Sequence, residues 1–185
     1  MTGSDRVRSV EPPARVRALA GLDRYDYAEA FAFDAPAART PEEWSRRILL
    51  GASPSDRLTM LAVWTALTVH LSPPWTAQIL GWRILHSTPD ALVLGIRASI
   101  GLTARIVIIP DADGVAVADG GGVAVPHRGG AGGAFGEGAG GPLGAGTVVH
   151  AMVVRFDRAL GRRVWERMAP GHRKFLRRII GRAAR

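Results

Sequence analysis

Cysteine is absent and lysine occurs once, at Lys174. The first absence excludes disulfides, thiolate nucleophiles and cysteine-held zinc or iron–sulfur centres. The second excludes a P-loop, whose lysine must follow its glycines directly. Long apolar runs are also missing. One of the longest, "LTMLAVWTAL" (58–67), falls short of the ~20 residues a membrane span needs. The opening "MTGSDRVRSVEPPARVR" has no apolar stretch of the secretory kind, so a cytoplasmic location is expected. Histidines 70, 86, 127, 150 and 172 show no H-x-x-x-H or HExxH spacing and no accompanying carboxylate cluster, so no metal site is expected. The G-x-S-x-G elbow of a serine hydrolase does not occur.

What is present fits one domain. A chain of 185 residues, 47% hydrophobic, can bury roughly 70% of its unfolded surface and so build one good core. The net charge of +8 is gathered at one end. Residues 158–185 hold nine arginines and one lysine against one glutamate, whereas residues 1–157 carry 14 arginines and 15 acids.

Periodicity gives the order of elements. Residues 1–20 read as a disordered arm before a domain over 21–185. "YDYAEAFAFDAP" alternates strictly, with Tyr25, Tyr27, Glu29, Phe31 and Phe33 on one face, the mark of a half-buried strand. "TPEEW" opens a helix that runs to about Leu50, with Thr40 as N-cap, Pro41 in the first turn and Glu43 closing a capping box. A second helix over roughly 55–69 carries an apolar stripe of Leu58, Leu61, Trp64 and Leu67. Period two then returns in "GWRILHS", "ALVLGIRASI", "GLTARIVIIP" and the short "VAVAD", and again in "TVVHAMVVRF" beyond a glycine-rich stretch. A helical pattern broken at "APGH" ends the chain, apolar on one face and arginine elsewhere. Strand, two helices, antiparallel strands and a long helix imply an α+β fold, with helices on one side of a curved sheet.

The glycine-rich loop (120–146) contains Gly136, Gly138 and Gly141 in G-x-G-x-x-G spacing. A dinucleotide site needs a strand before such glycines and a helix opening at the last one. Here glycines precede the motif and a β-branched strand follows it, so no nucleotide cofactor is expected. The tract reads instead as slack connection, or as a lid carrying one large apolar residue, Phe135.

His86 and His150 fall on the more apolar faces of their strands, with Trp82 and Met152 as respective face-mates. Each is either a core histidine bonded to a backbone carbonyl or a general acid–base group. Glu29 is either a carboxylate drawn inside or one at a strand edge in water. Tyr25 and Tyr27 either hydrogen-bond a ligand carbonyl or simply pack. The C-terminal arginines have three readings: contacts to nucleic acid, contacts to anionic lipid, or a solvated outer face.

Four stretches carry a family likeness: "DYAEAF" (26–31), "TPEEW" (40–44), "ALVLG" (91–95) and "FDRALGRRVWERMAPGHRKFLRRII" (156–180). In this order they resemble the helix-grip fold of the START/SRPBCC superfamily, which includes polyketide cyclases and lipid-transfer domains. The sequence is most similar to a bacterial family of uncharacterised function within it. It departs from that family at "IRASIGLTAR" (96–105) and in the glycine tract. The resemblance implies a curved antiparallel sheet around the C-terminal helix, enclosing an apolar pocket for a small hydrophobic molecule. It implies a cofactor-independent cyclase, dehydratase or isomerase, with secondary metabolism as a setting, or a non-catalytic carrier or sensor. His150, His86 and Glu29 are then the expected acid–base groups. Tyr25, Tyr27, Trp82, Arg97, Met152, Trp165 and Phe135 are the expected ligand contacts. The basic helix keeps a membrane surface as a candidate partner; nucleic acid is disfavoured, because only Trp165 and Phe175 interleave with the arginines and both fit the apolar stripe.

Overall fold

The computed structural model describes residues 7–111 and 146–185. The expected "VAVAD" strand, Phe135 and nearly all of the glycine tract lie outside them. The described residues form an eight-stranded antiparallel sheet, curved and unclosed, with four helices. In chain order these are β1 (Val7–Val10), α1 (Ala14–Ala20), β2 (Tyr27–Asp34), α2 (Pro41–Leu50), α3 (Pro54–Ala66), β3 (Val69–His70), β4 (Gln78–Ile79), β5 (Trp82–Thr88), β6 (Ala91–Ala98), β7 (Leu102–Asp111), β8 (Thr147–Phe156) and α4 (Ala159–Ala183). The sheet order is β1-β2-β8-β7-β6-β5-β4, with β3 also pairing with β6.

Alternation sorts each strand between two cores. On the inner face, Phe31, Leu94, Ile106 and Val154 pack against α2 and α4 through Trp44, Ile48, Leu176 and Ile179. On the outer face, Ala30, Val107, Val149 and Ala151 pack against Val16 and Ala20 of α1. Helices therefore cover both faces, not one. The reason lies in residues 7–20, which are not an arm. β1 pairs with β2 from Val7↔Phe33 to Val10↔Ala30, and Val16 and Ala20, one turn apart, give α1 its buried stripe.

The helix starts follow their capping chemistry. Thr40 Oγ1 accepts from the Glu43 amide at 3.2 Å, and Glu43 Oε2 accepts from the Thr40 amide at 2.7 Å. Ser53 caps α3 in the same way, accepting from the Asp56 amide at 3.2 Å. α3 packs with only half of its expected stripe: Leu67 is buried and Trp64 lies against the core. Leu58 and Leu61 are instead 72% and 54% exposed, while Asp56 and Met60 are buried. Asp56 sets this rotation, because its carboxylate receives Arg178 at 2.5 Å and Arg182 at 2.6 Å from α4.

α4 is continuous through Pro170, where a break was expected. Proline removes one N–H and crowds the carbonyl four residues back. Pro170 and Glu166 are exposed, so water can take that carbonyl while the opposite side stays packed. Among the described residues no helix is long and apolar enough to cross a membrane.

Candidate functional site

β2 and β8 run side by side beneath α4. Their register sets Tyr27 opposite Val154, Glu29 opposite Met152 and Phe31 opposite His150, all on the inner face. Glu29 and His150 are therefore diagonal cross-strand neighbours, within mutual reach. Above them α4 presents Trp165, His172 and Leu176, at helical spacings of seven and four that keep them on one stripe.

Glu29, 6% exposed, is the hub. Its Oε2 accepts from the Tyr27 hydroxyl at 2.7 Å, and its Oε1 lies 2.8 Å from His172 Nδ1. Arg173 Nε donates to the Tyr27 oxygen at 2.9 Å and to Glu29 Oε2 at 3.3 Å. Burial pushes the Glu29 carboxyl up, but the hydrogen bonds from His172 and Tyr27 and the nearby Arg173 charge outweigh it and hold it below its ordinary value. The carboxylate is thus ionised at neutral pH and can only accept, which places the proton on His172 Nδ1. Burial raises the Tyr27 phenol, and the Glu29 charge raises it further. Trp165 closes the group edge-on to Tyr27 at 5.3 Å and tilted to His172 at 5.0 Å.

His150 is 1% exposed, and its Nδ1 has no protein partner. Burial lowers its pKa to about 4 despite the upward pull of Glu29, so the imidazole is neutral at pH 7. The site therefore holds a buried anion beside a neutral base, two titratable groups driven to different charge states by their surroundings. Chemically it can give and take protons and orient a carbonyl. Among the described residues no three His, Asp or Glu side chains gather as a metal-ligand set.

The sequence-expected residues divide by face. Glu29, Tyr27, His150, Met152 and Trp165 come together on the inner side. Trp82 is also buried in the inner core, towards the β4–β5 end of the sheet, with an indole N–H that has no protein partner. His86 does not join them. The ladder shifts register between Ile84, opposite Leu94, and His86, opposite Val93. The extra residue, Leu85, breaks the alternation and turns His86 to the outer face, exposed. Arg97 lies opposite Thr103 on that same outer face and is exposed. Tyr25 precedes the regular strand, so period two does not govern it, and it packs on the outer core. Phe135 lies outside the described residues.

Two site residues escape a reading by strands alone. Arg173 belongs to the C-terminal arginines, none of whose three readings makes it a partner of Glu29, and His172 enters only through the histidine spacing and the family likeness. The signal for His172 was its place on the apolar stripe, seven residues after Trp165 and four before Leu176. Other helix arginines are likewise ion-paired: Arg162 binds Asp26 at 2.7 Å, and Arg178 and Arg182 share Asp56. Comparison of the chain with protein-family models, curated proteins and solved structures finds no match.

Proposed function

We propose that the protein binds a small, largely apolar molecule between the inner face of the sheet and α4, and transforms it by general acid–base catalysis. The reaction class is that of a cyclase, dehydratase or isomerase, which needs positioned proton-transfer groups in a dry site. The observation that carries this reading is the buried Glu29 carboxylate, held by Tyr27, His172 and Arg173 beside a neutral His150 with a free ring nitrogen. His150 acts as the proton acceptor. The Glu29–His172 pair stabilises the charge that develops, and the Tyr27–Arg173 pair orients a ligand oxygen. The buried indole N–H of Trp165, beside Tyr27 and His172 and without a protein partner, adds a donor for a ligand that carries oxygen on an apolar frame. The order of elements and the four sequence stretches that resemble the helix-grip superfamily point the same way.

The test is native mass spectrometry of the protein as purified, followed by extraction and identification of any retained small molecule. A bound apolar molecule that His150→Leu still retains but no longer converts supports the assignment. Bare protein mass under gentle ionisation, with no apolar ligand shifting the tryptophan fluorescence, sinks it. A second reading, a non-catalytic carrier, is favoured by the outward position of His86, which leaves His150 as the one strand histidine of the expected pair on the inner face. Retention without conversion by the wild-type protein would establish that reading.

A further inference from the structure

α1 rests on β7 and β8 over the Val107, Val149 and Ala151 half of the outer face. The other half carries arginines from four adjacent strands. In one row Arg83 of β5, Gly95 of β6 and Arg105 of β7 lie opposite one another; in the next row Arg97 of β6, Thr103 of β7 and Arg155 of β8 do. Strands are spaced by about 4.8 Å, and same-face residues along one strand by about 7 Å. Side chains as long as arginine can converge from all four positions.

Their charges are not treated alike. Arg155 donates to Asp23 at 2.7 Å and pairs in charge with Asp157 at 2.8 Å, and Thr103 also donates to Asp157 at 3.1 Å. Arg83, Arg97 and Arg105 have no carboxylate within salt-bridge distance among the described residues. Arg105 is the telling one. Its side chain is half-buried and, among the described residues, its Nε has no protein partner and its Nη1 bonds only the Ala104 carbonyl, at 3.1 Å. The guanidinium leans over Gly95, where an added methyl would sit 3.0 Å from Nη1. Burial and the charges of Arg97 and Arg155 lower its pKa. A half-buried cation among like charges costs stability unless an anion joins it.

We propose that Arg83, Arg97 and Arg105 form a binding site for the phosphate group of a small phosphorylated organic molecule, on the side of the sheet away from the acid–base cluster. A guanidinium fork matches phosphate oxygens in pairs, and Gly95 lets the Arg105 guanidinium lie close over the strand beside Leu85. Leu85, 46% exposed, lies over the same glycine and offers an apolar shoulder to the organic part. The β-bulge that turns His86 outward is what places Leu85 there.

Isothermal titration calorimetry of the full chain with inorganic pyrophosphate at low ionic strength tests the site. One pyrophosphate per chain should bind, and Arg105→Gln should weaken it by about tenfold or more, as expected for loss of a charge-assisted bidentate contact. The same variant should raise the melting temperature of the free protein, because it removes an uncompensated cation. Should Arg105→Gln fail to fold, Arg97→Gln, on an exposed side chain, is expected to weaken binding by about fivefold. Arg163→Gln on the outer side of α4 should leave it unchanged. Absence of binding by the wild type, or equal weakening by Arg163→Gln, overturns the proposal. So does a single-stranded oligonucleotide that displaces pyrophosphate and binds far more tightly, which would make the surface a nucleic-acid contact.

Discussion

The two faces of one sheet handle charge in opposite ways. On the inner face, Glu29 is surrounded by three donors, and each is supplied either by its own strand or by α4. On the outer face, Arg83, Arg97 and Arg105 have no carboxylate within salt-bridge distance among the described residues. Strand alternation assigns a residue to a face but does not supply its partner. The partner comes from whatever covers that face. α4 is long and polar along its flanks, so it brings His172 and Arg173 down to Glu29. α1 is two turns long, and its buried residues are Val16 and Ala20, so it brings only methyl groups.

The largest disturbance of this contrast removes the inner cover. Truncation after Gly171 deletes Leu176, Ile179 and Ile180, all buried. At about 2–5 kcal/mol for each large apolar side chain lost, the deletion removes as much as the whole stability of a typical domain. The shortened chain should therefore be unfolded by circular dichroism; a soluble, helical product would mean that α4 is not part of the core. Next in size, Glu29→Ala should strand Arg173 and His172 over the inner face and cost about 3–4 kcal/mol in urea unfolding, with Glu29→Gln milder.

Acid should sharpen the comparison further. The folded pKa of His150, about 4, lies below its ordinary 6.5, so the unfolded chain binds the extra proton first. Stability is therefore full above pH 6.5 and falls as pH drops towards 4, by about 3 kcal/mol from this group. Glu29, also depressed, adds to the loss below its ordinary 4.5. His150→Leu should flatten the limb between pH 6.5 and 4 in a melting-temperature series; an unchanged limb would place the titration elsewhere. Asp56→Asn should cost about 2 kcal/mol by loosening α3 from α4. Ser53, Arg182 and Arg178 hold the Asp56 carboxyl down at about 2, so its contribution is present above about pH 4 and disappears as pH falls towards 2. The smallest effect belongs to the outer face. Gly95→Ala meets only the ends of Leu85 and Arg105, so it should cost about 1 kcal/mol or less while displacing the Arg105 guanidinium.

Much of the architecture could be read from periodicity. β2, α2, β8 and the capping box at Thr40 and Glu43 all occur where spacing and chemistry put them. On α3, Trp64 and Leu67 pack as expected, whereas Leu58 and Leu61 turn to solvent because leucine spacing alone cannot see the Asp56 clamp that rotates the helix. His86 was misassigned because one extra residue in β5 inverts every later face, and a bulge leaves no compositional mark. β1 and α1 were missed because four strand residues and two buried positions on a short helix make a weak pattern beside Pro12 and Pro13. Within the candidate site, Glu29, Tyr27 and His150 could be singled out on their strands, and Trp165 on its helix. Their meeting with His172 and Arg173 could not, because it depends on how α4 crosses β2 and β8.

The place of β8 has a consequence for how the chain reaches this state. It lies between β2 and β7, yet Phe31 and its partner His150 are separated by more than a hundred residues. Until β8 arrives, β2 and β7 each present an unpaired edge, and β1 can join only half of the eventual sheet. Closing so long a loop costs entropy before any contact repays it, and folding slows accordingly. During synthesis the ribosome should therefore carry a largely complete but open polypeptide, with two sticky strand edges waiting on one late segment. The charged helix that follows β8 closes the inner face only after that segment has docked.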